Sequence, residues 1–329
     1  MTSGLSEQIF NVNNPESFSE KAFEIFRFQA DNNPVYRDFI SRLGKSRDHI
    51  KSLTEIPFMP VEFFRDQIVL VENLSTEMIF ESSRTTRTSP GRHFVHDLKI
   101  YEASFLNTFR LFYGDPSEYI ITALLPSYSE RENSSLIYMM NNLILKSRNR
   151  DSGFYNSNTD KLIGTLQRGK HSGKNILLIG ISFALLDLAE NYSPDLSGII
   201  VMETGGMKGR RKEITRVELH EILKQKLNVP VIHSEYGMTE LLSQAYSAGN
   251  GIFNCPPWMK IMIRDPHDPL SIIDEPEKTG GINIIDLANL YSCSFIATGD
   301  LGKLHTDGSF EVIGRFDNSD IRGCNLMAE

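Results

Sequence analysis

Short apolar segments alternate with helical segments through the middle of this chain, and this alternation constrains its fold more than any other feature. Strands are predicted over residues 119–125, 175–181, 198–202 and 229–233, and helices over 134–146, 183–192 and 215–227. The strand segments are apolar almost throughout, which is typical of parallel strands that helices cover on both faces. The sequence therefore predicts an α/β fold with a parallel or mixed sheet covered by helices.

The N-terminal region carries helix signals. Ser17 and Glu20 have the spacing of a capping box that opens a helix running to Asn32. Asn33 and the proline after it predict the start of a second helix, and Gly44 is typical of the residue that ends one. Residues 1–80 are accordingly expected to form a helical N-terminal region.

The C-terminal part changes to a β pattern. Residues 258–264 alternate between apolar and polar, and Asp307-Gly308 separates two strand-like runs as a hairpin turn does. We therefore expect an α/β body over residues 81–257 and a β-rich subdomain over residues 258–329 that ends in this hairpin.

Composition and charge narrow the function classes. Of the 329 residues 40% are hydrophobic, and the longest apolar run, 176–189, is too short and too interrupted to span a membrane. The 34 Lys and Arg residues against 42 Asp and Glu residues give a net charge of −8, which should repel nucleic acid. Three widely spaced cysteines and an N-terminus without a secretory leader favour a cytoplasmic protein without an integral membrane segment.

Residues that follow the predicted strands are the candidates for chemistry, because parallel sheets bind ligands beyond the carboxyl ends of their strands. The first such segment, Met202–Lys212, combines glycines with four cations and is either an anion site or a solvated loop. The second is Ser234–Leu242. There Tyr236 can stack on a base, Thr239 can bind phosphate and Glu240 can hold Mg²⁺, or else Thr239 caps an ordinary helix.

The third candidate joins residues 295–302 with residues 314–317. Asp300, expected at a strand end, can accept hydrogen bonds from both hydroxyls of a ribose, and Arg315 can neutralise a phosphate. Taken separately, these two segments are ordinary turns.

Taken together and in this order, SEYGMTE, TGDLG and GRFDNSDIRG resemble the consecutive core motifs of adenylate-forming enzymes, the superfamily of acyl-CoA synthetases and firefly luciferase. Within it the chain is most similar to the acyl-protein synthetases of bacterial luciferase operons (LuxE type) and their phenylacetate-CoA-ligase-like relatives. The resemblance runs from about Glu81 to the C-terminus and includes METGGMKGRRKE, residues 202–213. It implies the large-domain fold of these enzymes, with residues 81–257 as the nucleotide-binding body.

The resemblance also implies residue roles. Thr239 would contact the α-phosphate of ATP and Glu240 would coordinate Mg²⁺, while Asp300 would hold the ribose hydroxyls and Arg315 would contact ribose or phosphate. The remaining nucleotide contacts would come from Gly205, Gly206, Tyr236, Gly237 and Met238, with Gly205 and Gly206 bordering the adenine and Tyr236 stacking on it.

The stretch that corresponds to the family's phosphate loop, residues 82–92, departs from the pattern. Ser83, Thr85 and Thr86 are its candidate phosphate contacts, but Arg84 and Arg87 stand where the family has glycines. Either the arginines bind phosphate through their guanidinium groups, or the loop is a variant with poor ATP turnover.

The C-terminus departs as well. The common form of the family continues into a small lid domain with a catalytic lysine, and this chain, which ends at Glu329, is expected to lack that lid. Cys324, beside Arg322, matches the cysteine near the C-terminus on which LuxE-type enzymes carry the acyl group, and is otherwise an inert thiol. Cys255 and Cys293 are expected to pack as small apolar residues.

Other chemistries find less support. His233 is either a general base or, as is more usual at the end of a buried strand, a hydrogen-bonded core residue. No zinc-binding spacing, hydrolase elbow or dinucleotide fingerprint occurs in the sequence.

We therefore expect an enzyme that uses ATP and Mg²⁺ to activate a carboxylic acid, with a fatty acid favoured, and that passes the acyl group to a thiol. The acceptor is Cys324, a cysteine of an acyl-acceptor protein, or coenzyme A, and a homo-oligomer is left open. The alternatives are a non-catalytic nucleotide- or acyl-binding subunit and an acyltransferase that does not need ATP.

Overall fold

The computed structural model describes residues 2–82, 89–156, 158–205 and 214–316, without the side chains of residues 2, 3 and 128. The α-helices are α1 Thr2–Gln8, α2 Pro15–Asn32, α3 Pro34–Arg42, α4 Phe63–Asp66, α5 Leu98–Tyr113, α6 Ser135–Ser147, α7 Thr159–Gly169, α8 Ser182–Asn191 and α9 Arg216–Leu227. The strands are β1 Met59–Pro60, β2 Met78–Glu81, β3 Arg92–Val95, β4 Tyr119–Leu124, β5 Gly153–Phe154, β6 Asn175–Ile181, β7 Ile200–Thr204, β8 His233–Tyr236, β9 Ala245–Ser247, β10 Ile252–Phe253, β11 Met259–Arg264, β12 Ile272–Ile273, β13 Thr279–Asp286, β14 Phe295–Leu304 and β15 Phe310–Arg315. Single-turn 3-10 helices cover Ile9–Asn11, Arg47–His49, Leu53–Glu55, Pro116–Glu118, Tyr128–Glu130 and Leu287–Asn289.

The chain divides into two compact units, each assembled from separate parts of the sequence. Unit 1 contains the described parts of Met1–Glu77, His93–His96 and Asn254–Glu329, and unit 2 contains those of Met78–Arg92 and Asp97–Phe253. The units are described in turn.

Unit 2 is built on a sheet with the strand order β5-β4-β6-β7-β8-β9. The first five strands in this order are parallel, and β9 runs antiparallel to β8. The interior strands β4 and β6 are buried almost throughout, because helices supply apolar cover. The predicted α/β fold is confirmed. The core of this unit includes Leu162, Leu166, Leu178, Leu185, Val201 and Leu223.

The fourth predicted strand of this sheet is displaced along the chain. It was expected over residues 229–233, but β8 begins at His233 and ends at Tyr236. Asn228 ends α9 in the left-handed conformation with φ 53°, and Pro230 lacks the N–H that a strand ladder needs. Val229 and Ile232 are therefore buried as part of a connection, and Glu235 and Tyr236 lie inside the strand.

Unit 1 contains the antiparallel sheet that the C-terminal pattern predicts. Its strands are ordered β15-β14-β13-β11-β12, and β1 pairs in parallel with β14. The hairpin between β14 and β15 turns at Gly308, whose φ of 86° favours glycine. The predicted hairpin around Asp307-Gly308 is thus confirmed.

The helices α2 and α3 of unit 1 begin and end close to the expected residues, with one correction. Asn14, not Ser17, is the N-cap of α2, because its side chain accepts a hydrogen bond from the Ser17 N–H at 2.8 Å. Ser17 is the third helical residue and completes the capping box from the other side. Asn33 caps α3 as expected, and Gly44 takes a φ of 65° just beyond its end.

An aromatic cluster joins the helices to the sheet within unit 1. The ring of Phe295 on β14 packs against Phe26 of α2, Tyr36 of α3 and Phe58, at centroid distances of 5.8 to 6.3 Å. The buried amide of Gln29 adds hydrogen bonds to the carbonyl oxygens of residues 289 and 290 at 2.9 Å. Among the described residues, no helix combines the length and the apolar character that crossing a membrane requires.

Candidate active site

The carboxyl edge of the unit 2 sheet gathers most of the predicted site residues that the structure describes. Thr204, the last residue of β7, pairs with Glu235 of β8, so Gly205 and Tyr236 follow at the same edge. Gly205 has a φ of 67°, a conformation that favours glycine, and its carbonyl oxygen accepts a hydrogen bond from the Ser182 hydroxyl at 2.7 Å. The parallel strand pairing thus brings together two motifs that the sequence separates.

The residues after β8 form a turn, and this corrects the expectation of a helix. Leu241 N–H donates to the Met238 carbonyl oxygen at 3.1 Å, which closes a turn around Thr239 and Glu240. The chain then continues into β9 rather than into a helix. Thr239 is therefore not a helix cap.

Tyr236, Gly237 and Glu240 are packed closely at this edge. The Tyr236 ring is 9% exposed and lies 5.9 Å from the ring of Phe253. A Cβ atom added to Gly237 would lie 2.5 Å from Oε1 of Glu235, so only glycine fits without rearrangement. The Glu240 side chain is buried as well, at 7% exposure.

The base of the predicted phosphate loop lies against Glu240. Ser82 N–H donates to the Gly91 carbonyl oxygen at 2.9 Å, and Gly91 N–H donates to the Ser82 hydroxyl at 2.8 Å, so these two residues close the loop. A Cβ atom on Gly91 would overlap Oε1 of Glu240. The loop residues Ser83, Thr85 and Thr86 lie outside the described residues, as do Gly206 and Cys324.

Below this edge, Glu203 of β7 is buried with a set of compensating groups. Its Oε1 lies 3.2 Å from Arg216 Nε and 3.6 Å from His220 Nε2, and its Oε2 lies 3.2 Å from the Ser182 hydroxyl. Burial raises the pKa of Glu203, but the hydrogen bond to His220 and the charge of Arg216 outweigh burial and lower it overall. The Glu203 carboxylate is therefore held in its charged form.

Glu235 of β8 is buried without such compensation. Its Oε2 accepts a hydrogen bond from the Thr204 hydroxyl at 2.5 Å. Burial raises its pKa to about 7, the charge of Glu203 adds to the rise, and the Thr204 hydrogen bond opposes it. Two adjacent strands thus carry one charged carboxyl group and one that is about half protonated at neutral pH.

His233, one of the candidate bases, is half-buried in unit 2. Its Nδ1 lies 3.1 Å from the Tyr113 hydroxyl, and burial lowers its pKa. This arrangement matches the alternative of a hydrogen-bonded histidine within the fold.

In unit 1 the structure brings Asp300 and Arg315 together. They are paired residues of β14 and β15, and Arg315 Nε lies 3.4 Å from Asp300 Oδ1. Asp300 was expected at a strand end, but it lies inside β14, next to an irregularity in the pairing at Leu301 and Gly302. The Arg315 side chain is 81% exposed, so it can reorient toward a ligand.

The two described cysteines are not reactive thiols. Cys293 is fully buried in unit 1, and burial raises its pKa to about 12, which keeps the thiol protonated. Burial also raises the pKa of Cys255. The expectation that Cys293 packs as a small apolar residue is confirmed.

Sequence patterns did not single out Gly91, Glu235 or the Glu203 partners. Gly91 follows a Ser/Thr-rich stretch, but only its contact with Glu240 gives it a role. An available signal for Glu235 was the presence of a carboxyl side chain among residues that were expected to be buried. Arg216 and His220 lie on one face of α9, four residues apart, and this spacing could have suggested a shared acidic partner.

We predict that Glu203→Gln lowers the free energy of unfolding by about 3 kcal/mol, because it removes a buried charge that lies 3.2 Å from Arg216 Nε. The loss should shrink as pH falls below about 4.5, since the lowered pKa of Glu203 stabilises the fold only while the unfolded carboxyl is ionised. Urea denaturation across pH measures both effects. Glu221→Gln, at an exposed carboxylate of α9, is the control and should change stability by less than about 0.5 kcal/mol.

No family model matches the sequence, and no curated protein matches it. Solved structures do share its fold. ATP-bound MatB from Rhodopseudomonas palustris superposes with a TM-score of 0.53 at 17% identity, over 89% of this chain and 61% of that chain. A long-chain-fatty-acid-CoA ligase from Archaeoglobus fulgidus gives a TM-score of 0.53 at 15% identity, over 77% of this chain and 54% of that chain.

A third similar structure is the luciferase-like enzyme of the nonluminescent mealworm Zophobas morio. Its TM-score is 0.52 at 15% identity, over 83% of this chain and 61% of that chain. The chain thus spans between 54% and 61% of the length of these three proteins. The chain has the fold of the adenylate-forming enzymes.

Proposed function

We propose that this chain catalyses the ATP-dependent activation of a carboxylic acid, with a fatty acid favoured, and transfers the acyl group to a thiol. The observation that carries the proposal is the contact between Glu240 and Gly91. It joins the proposed Mg²⁺ ligand to the base of the proposed phosphate loop, although the two are far apart in the sequence. The same sheet edge carries Gly205 and Tyr236.

The backbone at this edge fits a nucleotide. Gly205 and Gly237 expose the backbone because neither has a side chain. At Gly205 a side chain would be strained by the positive φ, and at Gly237 it would collide with Glu235. A flat adenine can approach such a surface closely, and Tyr236 offers a ring at the same place. In the proposed arrangement Gly205 and Gly206 border the adenine, Tyr236 stacks on it, and Gly237 and Met238 complete the contact.

Glu240 has the chemistry of a Mg²⁺ ligand. Among the described residues no cluster of three or more His, Cys, Asp or Glu side chains could hold a metal by itself. This agrees with Mg²⁺, which protein sites bind through one or two carboxylates together with substrate phosphates and water. Mg²⁺ would offset phosphate charge at the α-phosphorus and on the departing pyrophosphate.

The remaining proposed contacts fix the ribose and the α-phosphate. Thr239, in the turn beside Glu240, donates its hydroxyl hydrogen to an α-phosphate oxygen. Asp300 accepts hydrogen bonds from the ribose hydroxyls, and Arg315 turns its exposed guanidinium toward ribose or phosphate. Contacts of this kind orient an α-phosphorus for attack by an incoming carboxylate.

The proposed reaction has two steps. A carboxylate oxygen attacks the α-phosphorus of ATP, the bond from that phosphorus to pyrophosphate breaks, and an acyl-adenylate forms. A thiolate sulfur then attacks the acyl carbon, the bond from that carbon to the phosphate oxygen breaks, and AMP leaves with the electron pair. The thiol is Cys324, a cysteine of an acyl-acceptor protein, or coenzyme A.

The solved structures that share the fold support this class of reaction. One is bound to ATP, and another is named a long-chain-fatty-acid-CoA ligase. The likeness supports acid activation in general, and the choice of a fatty acid rests on the LuxE-type resemblance of the sequence.

We predict carboxylate-dependent exchange of pyrophosphate into ATP when the chain is given Mg²⁺ and a panel of short, medium, long-chain and aromatic acids. Long-chain acids should give the highest rate, since a long apolar tail contributes most binding energy. Exchange without added acid is the background control. Tight ATP binding with no exchange for any acid would favour a nucleotide-binding subunit instead.

Glu240→Gln should reduce this exchange by at least about 100-fold, because it removes the charge that binds Mg²⁺ while keeping the side-chain shape. Thermal stability should change little, and that comparison separates loss of chemistry from loss of folding. Glu221→Gln is the matched control and should keep the wild-type rate, since this exposed carboxylate pairs only with Lys224 in the described part of the chain. Wild-type exchange by Glu240→Gln would rule out the assigned role.

Cys324→Ser should abolish acylation of the chain by a radiolabelled acid and ATP, while leaving pyrophosphate exchange intact, because the thiol acts only in the second step. Cys255→Ser is the control and should retain the label, since burial keeps that thiol protonated. Label on the chain without ATP would favour an acyltransferase that uses preformed thioesters. Exchange with no label on the wild type would point to coenzyme A or a partner's cysteine as the acceptor.

A further inference from the structure

Glu235 is a titratable residue at the proposed nucleotide edge, and the reaction above does not use it. It belongs to the same strand as Tyr236, and its side chain is buried at 8% exposure. Its two carboxyl oxygens approach two different elements. Oε2 accepts from the Thr204 hydroxyl on β7, and Oε1 lies against Gly237, where the turn that carries Thr239 and Glu240 begins.

Within the described residues Glu235 forms no salt bridge, in contrast to Glu203. On β7, Glu203 is negative and already paired with Arg216 and His220 of α9. On α5 and β9 the facing groups are Tyr101 and Tyr246, whose pKa values are raised by burial first and by Glu235 next, so both are neutral. A second negative charge here would be repelled by the charge of Glu203.

Gln244 gives an independent indication. Its side chain approaches the same point beside Gly237 as Glu235 Oε1, with Cγ 3.4 Å from the position of a Cβ atom on Gly237. Its Oε1 atom is buried and has no hydrogen-bond partner among the described residues. A protonated Glu235 adds an O–H donor to the region that holds this acceptor, whereas a carboxylate adds only acceptors.

We propose that Glu235 acts as a positioning residue in the form of a neutral carboxylic acid, linking Thr204 to the Gly237 turn and so setting the position of Thr239 and Glu240. This inference rests on the proposed function, since it assigns those two residues their nucleotide contacts. The proton makes the link possible. Its loss adds a second buried charge, which the charge of Glu203 repels, and moves the Gly237 turn away from Glu235.

The test compares the pH dependence of pyrophosphate exchange in wild type and Glu235→Gln, which has the shape and hydrogen-bonding groups of the neutral acid. Below about pH 7 the ratio of the wild-type exchange rate to that of Glu235→Gln should stay constant. Above about pH 7 the wild type should fall relative to the variant by about tenfold per pH unit, because the pKa of Glu235 is about 7. Dividing one rate by the other removes the titration of ATP itself.

Thr204→Val is the second variant, and it keeps the proposal testable should Glu235→Gln fold poorly. Removing the hydroxyl takes away the hydrogen bond that lowers the pKa of Glu235. The alkaline fall in the rate of pyrophosphate exchange should therefore begin at a higher pH. Glu221→Gln should leave the pH of this fall unchanged. If Glu235 and Thr204 had a purely structural role, Glu235→Gln and Thr204→Val would change stability without changing the pH at which exchange falls.

Unfolding measurements give a readout that does not depend on catalysis. The fold holds the Glu235 proton above the ordinary carboxyl pKa of 4.5, so wild type should lose stability relative to Glu235→Gln as pH rises from about 4.5 to about 7. Identical pH profiles of exchange in an active wild type and in Glu235→Gln would overturn the positioning role alone. A wild type with no exchange for any acid would overturn the proposed function, and the positioning role with it.

Discussion

Two carboxyl groups are buried at the ends of adjacent parallel strands, and the carboxyl edge of unit 2 is organised around them. The pairing of β7 with β8 brings Glu203 and Glu235 to one edge of the sheet. Two buried carboxylates on neighbouring strands are costly, because each loses its hydration and their charges repel. The two carboxyl groups differ in the partners that surround them. Arg216, His220 and Ser182 offset the charge of Glu203, whereas Thr204 alone contacts Glu235 in the hydrogen bonds described.

This difference connects the core of unit 2 to the proposed chemistry. The helix α9, which supplies Arg216 and His220, also buries Leu219, Leu223 and Leu227 in the core, so the ion pair and the packing position the same helix. Glu203 lies on β7 directly before Thr204 and Gly205. Packing of α9 therefore constrains the strand end from which the glycine-rich segment leaves, and the charge on Glu203 in turn favours the neutral form of Glu235.

The sequence predicted the fold best where local and tertiary forces agree. The apolar strands β4 and β6, the helix starts at Asn33 and Thr215, and the turn at Gly308 lie where local patterns place them. Prediction failed at β8, because a run of apolar residues indicates burial but does not distinguish a strand from a buried connection. It also missed the turn after Tyr236. A Thr-Glu pair after a strand is typical of a helix start, and only the pairing of β8 with β9 excludes one here.

The candidate site was predictable in its motifs but not in the contacts that join them. Gly91 and Glu240 belong to separate motifs, and no periodicity or spacing relates them. Their contact also bears on Arg84 and Arg87, which replace glycines of the family pattern. At Glu240 the close approach of the proposed phosphate loop requires a residue without a Cβ atom, and Gly91 is that residue. This approach is therefore present in a chain that has arginine at positions 84 and 87, and guanidinium groups have the charge and geometry that phosphate binding needs.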